Sequence, residues 1–168
     1  MSVVAIKVYN NKIVMSADSI TVRGGDMTPI GKGKIFEVND MIIGTSGYSS
    51  EGSMMMLFAE NHTPYDASEK SMVEFMLEFN EWRNKNWGTH AGLENSYIIA
   101  YKGKAFYVHQ NYIAEIVNFF AIGYGADYAE AALYLGHTPE EAVQAACALC
   151  CYVAEPIITK TMYKVKGE

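Results

Sequence analysis

Hydrophobic residues along this chain change period four times, and the order of those changes leaves few folds open. Residues 2–8 (Ser2-Val3-Val4-Ala5-Ile6-Lys7-Val8), 12–19 and 34–38 are short β-rich runs, the first two separated by the turn dipeptide Asn10-Asn11. A further run, Met41-Ile42-Ile43-Gly44-Thr45-Ser46-Gly47, follows the hairpin signal Asn39-Asp40 and opens onto a glycine turn. From about 50 to 62, and again from 68 to about 85, apolar residues recur at helical spacing, with Met72, Phe75, Met76, Phe79 and Trp82 in one stripe. Filling a core or a subunit contact is the commoner use of such a methionine-rich stripe, a binding groove the rarer one. Strand patterns return at 96–101 and 104–109, joined by Lys102-Gly103, with a third near 114–120. A helical pattern at 127–135 is stopped by Gly136. The next helix announces itself with a capping Thr138, Pro139 at the first helical position and Glu141 three residues after the cap. It is expected to run to about Tyr152, and 156–163 reads as a closing strand. Strands, two helices, strands, two helices and a strand make the block order of an α+β sandwich.

With 168 residues, half of them hydrophobic, the chain can bury a core as one domain over 1–168. No apolar run approaches the roughly 20 residues of a membrane span, and the first residues lack a signal peptide's basic start and apolar stretch, so a cytosolic protein is expected. A formal charge of −6 argues against a nucleic-acid partner. Cys147, Cys150 and Cys151 crowd one helical pattern, without the fourth ligand a zinc site needs, and read as reduced core thiols; neither metal nor cofactor is expected. His62, His90, His109 and His137 are scattered without ligand spacing and read as surface or loop residues.

The chemistry-bearing residues lie near the ends of three consecutive strand patterns. If Met1 is removed, Ser2 holds a hydroxyl and a free α-amine in one residue, a nucleophile with its own base. Asp18 follows sixteen residues later, and Lys34 sixteen after that. A nearby lysine would favour the neutral amine by like-charge repulsion and polarise the hydroxyl, and the aspartate would hold the ammonium in place. Taken singly, Ser2 is a small residue opening a strand, Asp18 a turn former and Lys34 a solvated strand end. Their joint spacing favours a catalytic site.

In these stretches, and in 44–47 (Gly44-Thr45-Ser46-Gly47), 121–128 (Ala121-Ile122-Gly123-Tyr124-Gly125-Ala126-Asp127-Tyr128), 139–142 and 155–157, the chain resembles the β-type subunits of the proteasome and the peptidase HslV, which are N-terminal-nucleophile hydrolases. The resemblance implies a four-layer αββα sandwich of two mainly antiparallel sheets flanked by helices. It implies peptide-bond hydrolysis by Ser2 inside a homo-oligomeric ring, fed with polypeptide substrates by an ATP-dependent unfoldase. Asp18 and Lys34 take their roles above by the same resemblance, Gly47 offers its N–H to the oxyanion, and Thr21, Thr45 and Ser49 line a neutral specificity pocket. The chain departs from the pattern at two supports of the nucleophile: Tyr124 stands where the family has a serine, and Cys150 where it has an aspartate, with Val153 following and Glu155 as the nearby carboxylate. Two other readings therefore stay open, a catalytically impaired subunit serving as a scaffold or regulatory ring, and an amide hydrolase acting on a small molecule.

Overall fold

The computed structural model describes residues 1–23, 26–28, 33–88, 92–110 and 112–164. The chain begins with strands β1 (Val3–Val8), β2 (Lys12–Asp18), β3 (Thr21–Arg23), β4 (Asp26–Thr28), β5 (Ile35–Val38) and β6 (Met41–Ser46). Helices α1 (Ser49–Ala59) and α2 (Glu69–Trp87) follow, then strands β7 (Ser96–Tyr101), β8 (Lys104–His109), β9 (Tyr112–Glu115) and β10 (Phe119–Gly123). Helices α3 (Ala126–Tyr134) and α4 (Pro139–Leu149) and strand β11 (Ile157–Tyr163) complete it. Two antiparallel sheets result, one in the order β10-β1-β2-β11 and one in the order β5-β6-β7-β8-β9, with β3 and β4 as a separate ribbon.

Alternation along the strands builds three apolar layers between four layers of structure. Val4 and Ile6 of β1, with Ile13 and Met15 of β2, face Ile42, Ile98 and Ala100 across the gap between the sheets. Their neighbours Val3 and Ala5 point the other way, onto Ala129, Leu133, Val143 and Ala146 of α3 and α4. On the far side Met41, Ile43, Tyr97 and Ile99 meet Met55 and Phe58 of α1 and Met72, Phe75, Met76 and Phe79 of α2. A one-residue slip of any inner strand would exchange these faces, so the buried pattern sets the register. The α2 stripe is thus core, with Trp82 packed at its margin.

Local signals set the ends of the elements. Asn39 and Asp40 both adopt positive φ, as do Lys102 and Gly103, the backbone of the tight turns that match strand twist. Ser68 caps α2 by accepting from the Ser71 N–H, and Thr138 and Glu141 form a reciprocal capping box on α4. Gly136, at φ +100°, closes α3: its N–H donates to the Leu133 carbonyl and that of His137 to the Ala132 carbonyl.

Three expectations are corrected. The single strand near 114–120 is two strands on different sheets: β9 pairs with β8, and after Ile116, Val117 and Asn118 the chain crosses to pair β10 with β1. The crossing residue Ile116 is buried between the sheets, so the apolar pattern does not stop where β9 ends. Helix α4 stops at Leu149, short of Tyr152, with Cys150 as its extended C-cap residue. Of the three thiols Cys150 is buried, Cys147 half-buried and Cys151 exposed, so Cys151 is no core residue. His62 stacks on Phe58 and lies 3.5 Å from Glu78, and His137 lies 3.5 Å from Glu141. His90 falls outside the described residues.

The sheets approach closely at Gly44, where a Cβ would stand 2.6 Å from Val4 Cγ1 and 2.8 Å from Met15 Sδ. Gly44→Ala is expected to destabilise the fold by about 1–3 kcal/mol through overpacking, read as a lower urea midpoint. An unchanged midpoint would show that the sheets separate freely there.

Candidate active site

The ends of β1, β2 and β5 meet at one edge of the sandwich, and they bring the three sequence candidates together. β1 and β2 pair with Val4 opposite Ala17, which sets Asp18 beside the start of β1. Asp18 has no exposed surface. Its Oδ1 accepts the Val3 N–H at 2.8 Å, and its Oδ2 receives the Lys34 ammonium at 2.6 Å. Lys34 reaches it from the residue before β5, where its own carbonyl accepts the Thr45 N–H at 2.9 Å. The same ammonium donates to the Met1 carbonyl oxygen at 3.3 Å, that is, to the peptide group attached to the Ser2 nitrogen. Burial holds the Lys34 ammonium below its ordinary pKa, and the Asp18 charge opposes that shift.

Residue 2 is fixed from the other side by the turn after β10. The Ser2 carbonyl accepts the Gly125 N–H at 3.2 Å. Gly123, at φ +98°, lies so close to that carbonyl that a Cβ there would collide with it. Ser2 itself is buried. An open cleft of about 550 Å³ is lined by its neighbour Met1 and by Ser46, Gly47, Tyr48, Gly123 and Tyr124.

Gly47 therefore stands in the cleft wall, at φ +138°, a conformation that favours glycine. Tyr124 is also in that wall, with its ring packed edge-on against Tyr152 at 4.8 Å between centroids. Cys150 is buried behind it, its thiol 4.0 Å from the Tyr124 carbonyl oxygen. The proposed specificity residues are not gathered there. Thr45 is half-buried at the end of β6, its Oγ1 accepting from the Asn95 side chain at 3.1 Å, and Ser49 is exposed at the first turn of α1. Thr21 opens the β3–β4 ribbon.

Two residues beside the site are not read as part of it from sequence: Asn95 is not singled out and Cys147 reads only as a core thiol. Cys147, on α4, feels the charges of both Asp18 and Lys34. Burial, and after it the Asp18 and Glu155 charges, pushes its thiol up to about 11, so it is no thiolate nucleophile near neutral pH. Asn95 fills the space beside Gly47 where a Cβ would otherwise stand. An asparagine just ahead of a strand carries no signal of such a contact, which exists only once the chain has folded.

No family model matches the sequence, and no curated protein matches it. Solved structures do share its architecture. The Thiobacillus denitrificans protein BPH superposes with a TM-score of 0.89 at 19% identity, over 98% of this chain and 100% of that one. The same protein in complex with epoxomicin gives 0.86 at 19%, over 97% and 99%. HslV from Trypanosoma brucei gives 0.76 at 18%, over 96% and 99%. At such identities the likeness is one of fold: the chain has the four-layer αββα sandwich of HslV-type subunits.

Because the folded pKa of Lys34 is lowered, folding releases its proton between that value and the unfolded one. Its contribution to stability therefore rises with pH through that window, and below it the buried ammonium opposes folding. Titration of the Lys34 side chain by NMR is expected to fall below the ordinary 10.5, and lower still in Asp18→Asn, which removes the opposing charge. A value at or above 10.5 would show that Asp18 outweighs burial.

Proposed function

We propose that this chain is a proteasome-like peptidase subunit whose nucleophile is the Ser2 hydroxyl, set free together with its α-amine by cleavage of the Met1–Ser2 bond. One observation carries the proposal: a single ammonium, Lys34 Nζ, lies 2.6 Å from a fully buried carboxylate and 3.3 Å from the peptide group on the Ser2 nitrogen. A group so placed stands beside the bond whose cleavage would free the Ser2 amine.

In the proposed reaction the neutral amine, with an ordinary pKa of about 7.7–8, takes the hydroxyl proton as the oxygen attacks a peptide carbonyl. The Lys34 charge keeps the amine from protonating and stabilises the emerging alkoxide, while Asp18 anchors Lys34. Charge on the carbonyl oxygen falls to the Gly47 N–H in the cleft wall, a kind of donor that typically contributes about 3–4 kcal/mol. The amine then passes its proton to the leaving nitrogen, and water, activated in the same way, hydrolyses the ester left on Ser2. No cofactor or metal enters this scheme. The open cleft suits an extended polypeptide, and the complex of BPH with epoxomicin supports the proposal that the same cleft takes that compound here. Assembly into a homo-oligomeric ring, an ATP-dependent unfoldase as partner and a cytoplasmic location complete the reading. Among the described residues no helix is long and apolar enough to cross a membrane.

A second reading, a subunit that keeps the sandwich and the ring but not the activity, is favoured by the surroundings of Tyr124. Its ring turns to Tyr152, and the residues behind it, Cys150 and Val153, are buried and uncharged, so neither adds a fixed negative charge to orient an amine at residue 2.

Intact mass and fluorogenic-peptide turnover separate the two. Loss of the methionine together with turnover that drops about 10³-fold or more in Ser2→Ala is expected. Quantitative retention of Met1 in native protein, or equal cleavage by both forms, would reject the nucleophile.

A further inference from the structure

Behind the cleft wall lies a buried polar cluster that the scheme above does not use. Glu51, in the first turn of α1, and Arg83, on α2, are each only about 2% exposed and pair at 2.6 Å. The Glu51 carboxylate also accepts the Tyr97 hydroxyl at 2.8 Å, the Asn95 N–H at 3.0 Å and the Glu94 N–H at 3.1 Å. Burial, and after it the Glu51 charge, pushes the Tyr97 hydroxyl well above its ordinary pKa, so it remains a neutral donor. Arg83 is held in turn by the Gly92 carbonyl at 2.9 Å. Two ions are thus withdrawn from water and spend their hydrogen bonds on the backbone just ahead of β7, an arrangement better explained by the need to fix that segment than by stability alone.

What the segment presents is the Asn95 side chain. Its Oδ1 accepts the Tyr48 N–H at 2.6 Å, while its Nδ2 donates to the Tyr48 carbonyl at 2.9 Å and to Thr45 Oγ1 at 3.1 Å. Three bonds from one amide therefore grip the turn on both sides of Gly47. That turn needs an external hold, because Tyr48, the N-cap residue of α1, makes no side-chain cap. Gly47 fits the grip only because it lacks a Cβ.

We infer that Asn95, locked by Glu51, Arg83 and Tyr97, is a positioning residue that holds the Gly47 N–H aimed into the cleft. The inference rests on the peptidase reading and adds a requirement to it: the oxyanion donor works only while the amide clamp is closed. Donors of this kind act through their fixed direction, so a loosened turn lowers turnover while leaving substrate binding nearly intact.

The test combines kinetics and amide exchange on the full chain. In Asn95→Ala, kcat is expected to fall about 10- to 100-fold with KM changed less than about threefold. Asn95→Asp, which keeps the acceptor for the Tyr48 N–H, should recover part of the loss. Hydrogen exchange at Tyr48 should quicken in Asn95→Ala while that of Ile98 in β7 stays slow. Should Asn95→Ala fail to fold, Tyr48→Pro removes the clamped N–H at a residue whose φ of −79° suits proline, and its kcat should fall below that of Tyr48→Ala, which also lacks the ring. Wild-type protein without Ser2-dependent turnover would sink the peptidase reading, and this inference with it. An active wild type whose folded clamp variants keep the same kcat, raise KM instead, or leave Tyr48 exchange unchanged would overturn the inference alone.

Discussion

A carboxylate with no exposed surface can stay ionised inside a protein only if cations and N–H groups replace the water it has lost, and Asp18 shows this constraint in a compact form. Its two oxygens take the first N–H of β1 and the Lys34 ammonium, so one side chain ties together the beginnings of two strands and the end of a third. Removing either charge would leave the other buried and unpaired, which typically costs about 3–5 kcal/mol. The same bonds that satisfy Asp18 carry Lys34 across the gap between the sheets to residue 2. Satisfying the buried charge and assembling the site are therefore one structural event.

The opposite wall of the site follows a related logic. Glu51 and Arg83 are also buried and also paired, but their charge is converted into the rigidity of a backbone segment, which then offers an amide to the turn at Gly47. One buried ion pair thus reaches the Met1 carbonyl beside residue 2, and the other holds the segment from which Asn95 bonds the turn at Gly47. Gly44, Gly47 and Gly123 mark the places where the two sheets, the clamp and the β10 turn come too close for a Cβ.

The least polar side of the site is equally local. Around Tyr124, Cys150 and Val153 the packing is apolar and aromatic, and α4 ends one turn earlier than its pattern suggests. Cys147 faces the charges of Asp18 and Lys34 as a neutral thiol, so α4 adds shape to this side of the site but no charge. A well-built lysine and aspartate pair thus stands beside a weakly polar support.

Period and turn chemistry by themselves determined the succession of strands and helices, the α2 stripe as core, the glycine stop of α3 and the capping box of α4, because each depends on residues within a turn or two of one another. The closeness of Ser2 and Asp18 was legible too, since antiparallel strands joined by a short turn return their ends to the same edge, whereas Lys34 reaches them from a strand of the other sheet. Tertiary structure alone decided the rest. The split of 114–120 into strands of different sheets is invisible to periodicity, because Ile116 is apolar for a reason that arises only between the sheets. The Asn95 clamp joins residues nearly fifty positions apart through bonds that any loop asparagine could make, and a sequence does not record which partners a common polar side chain will meet.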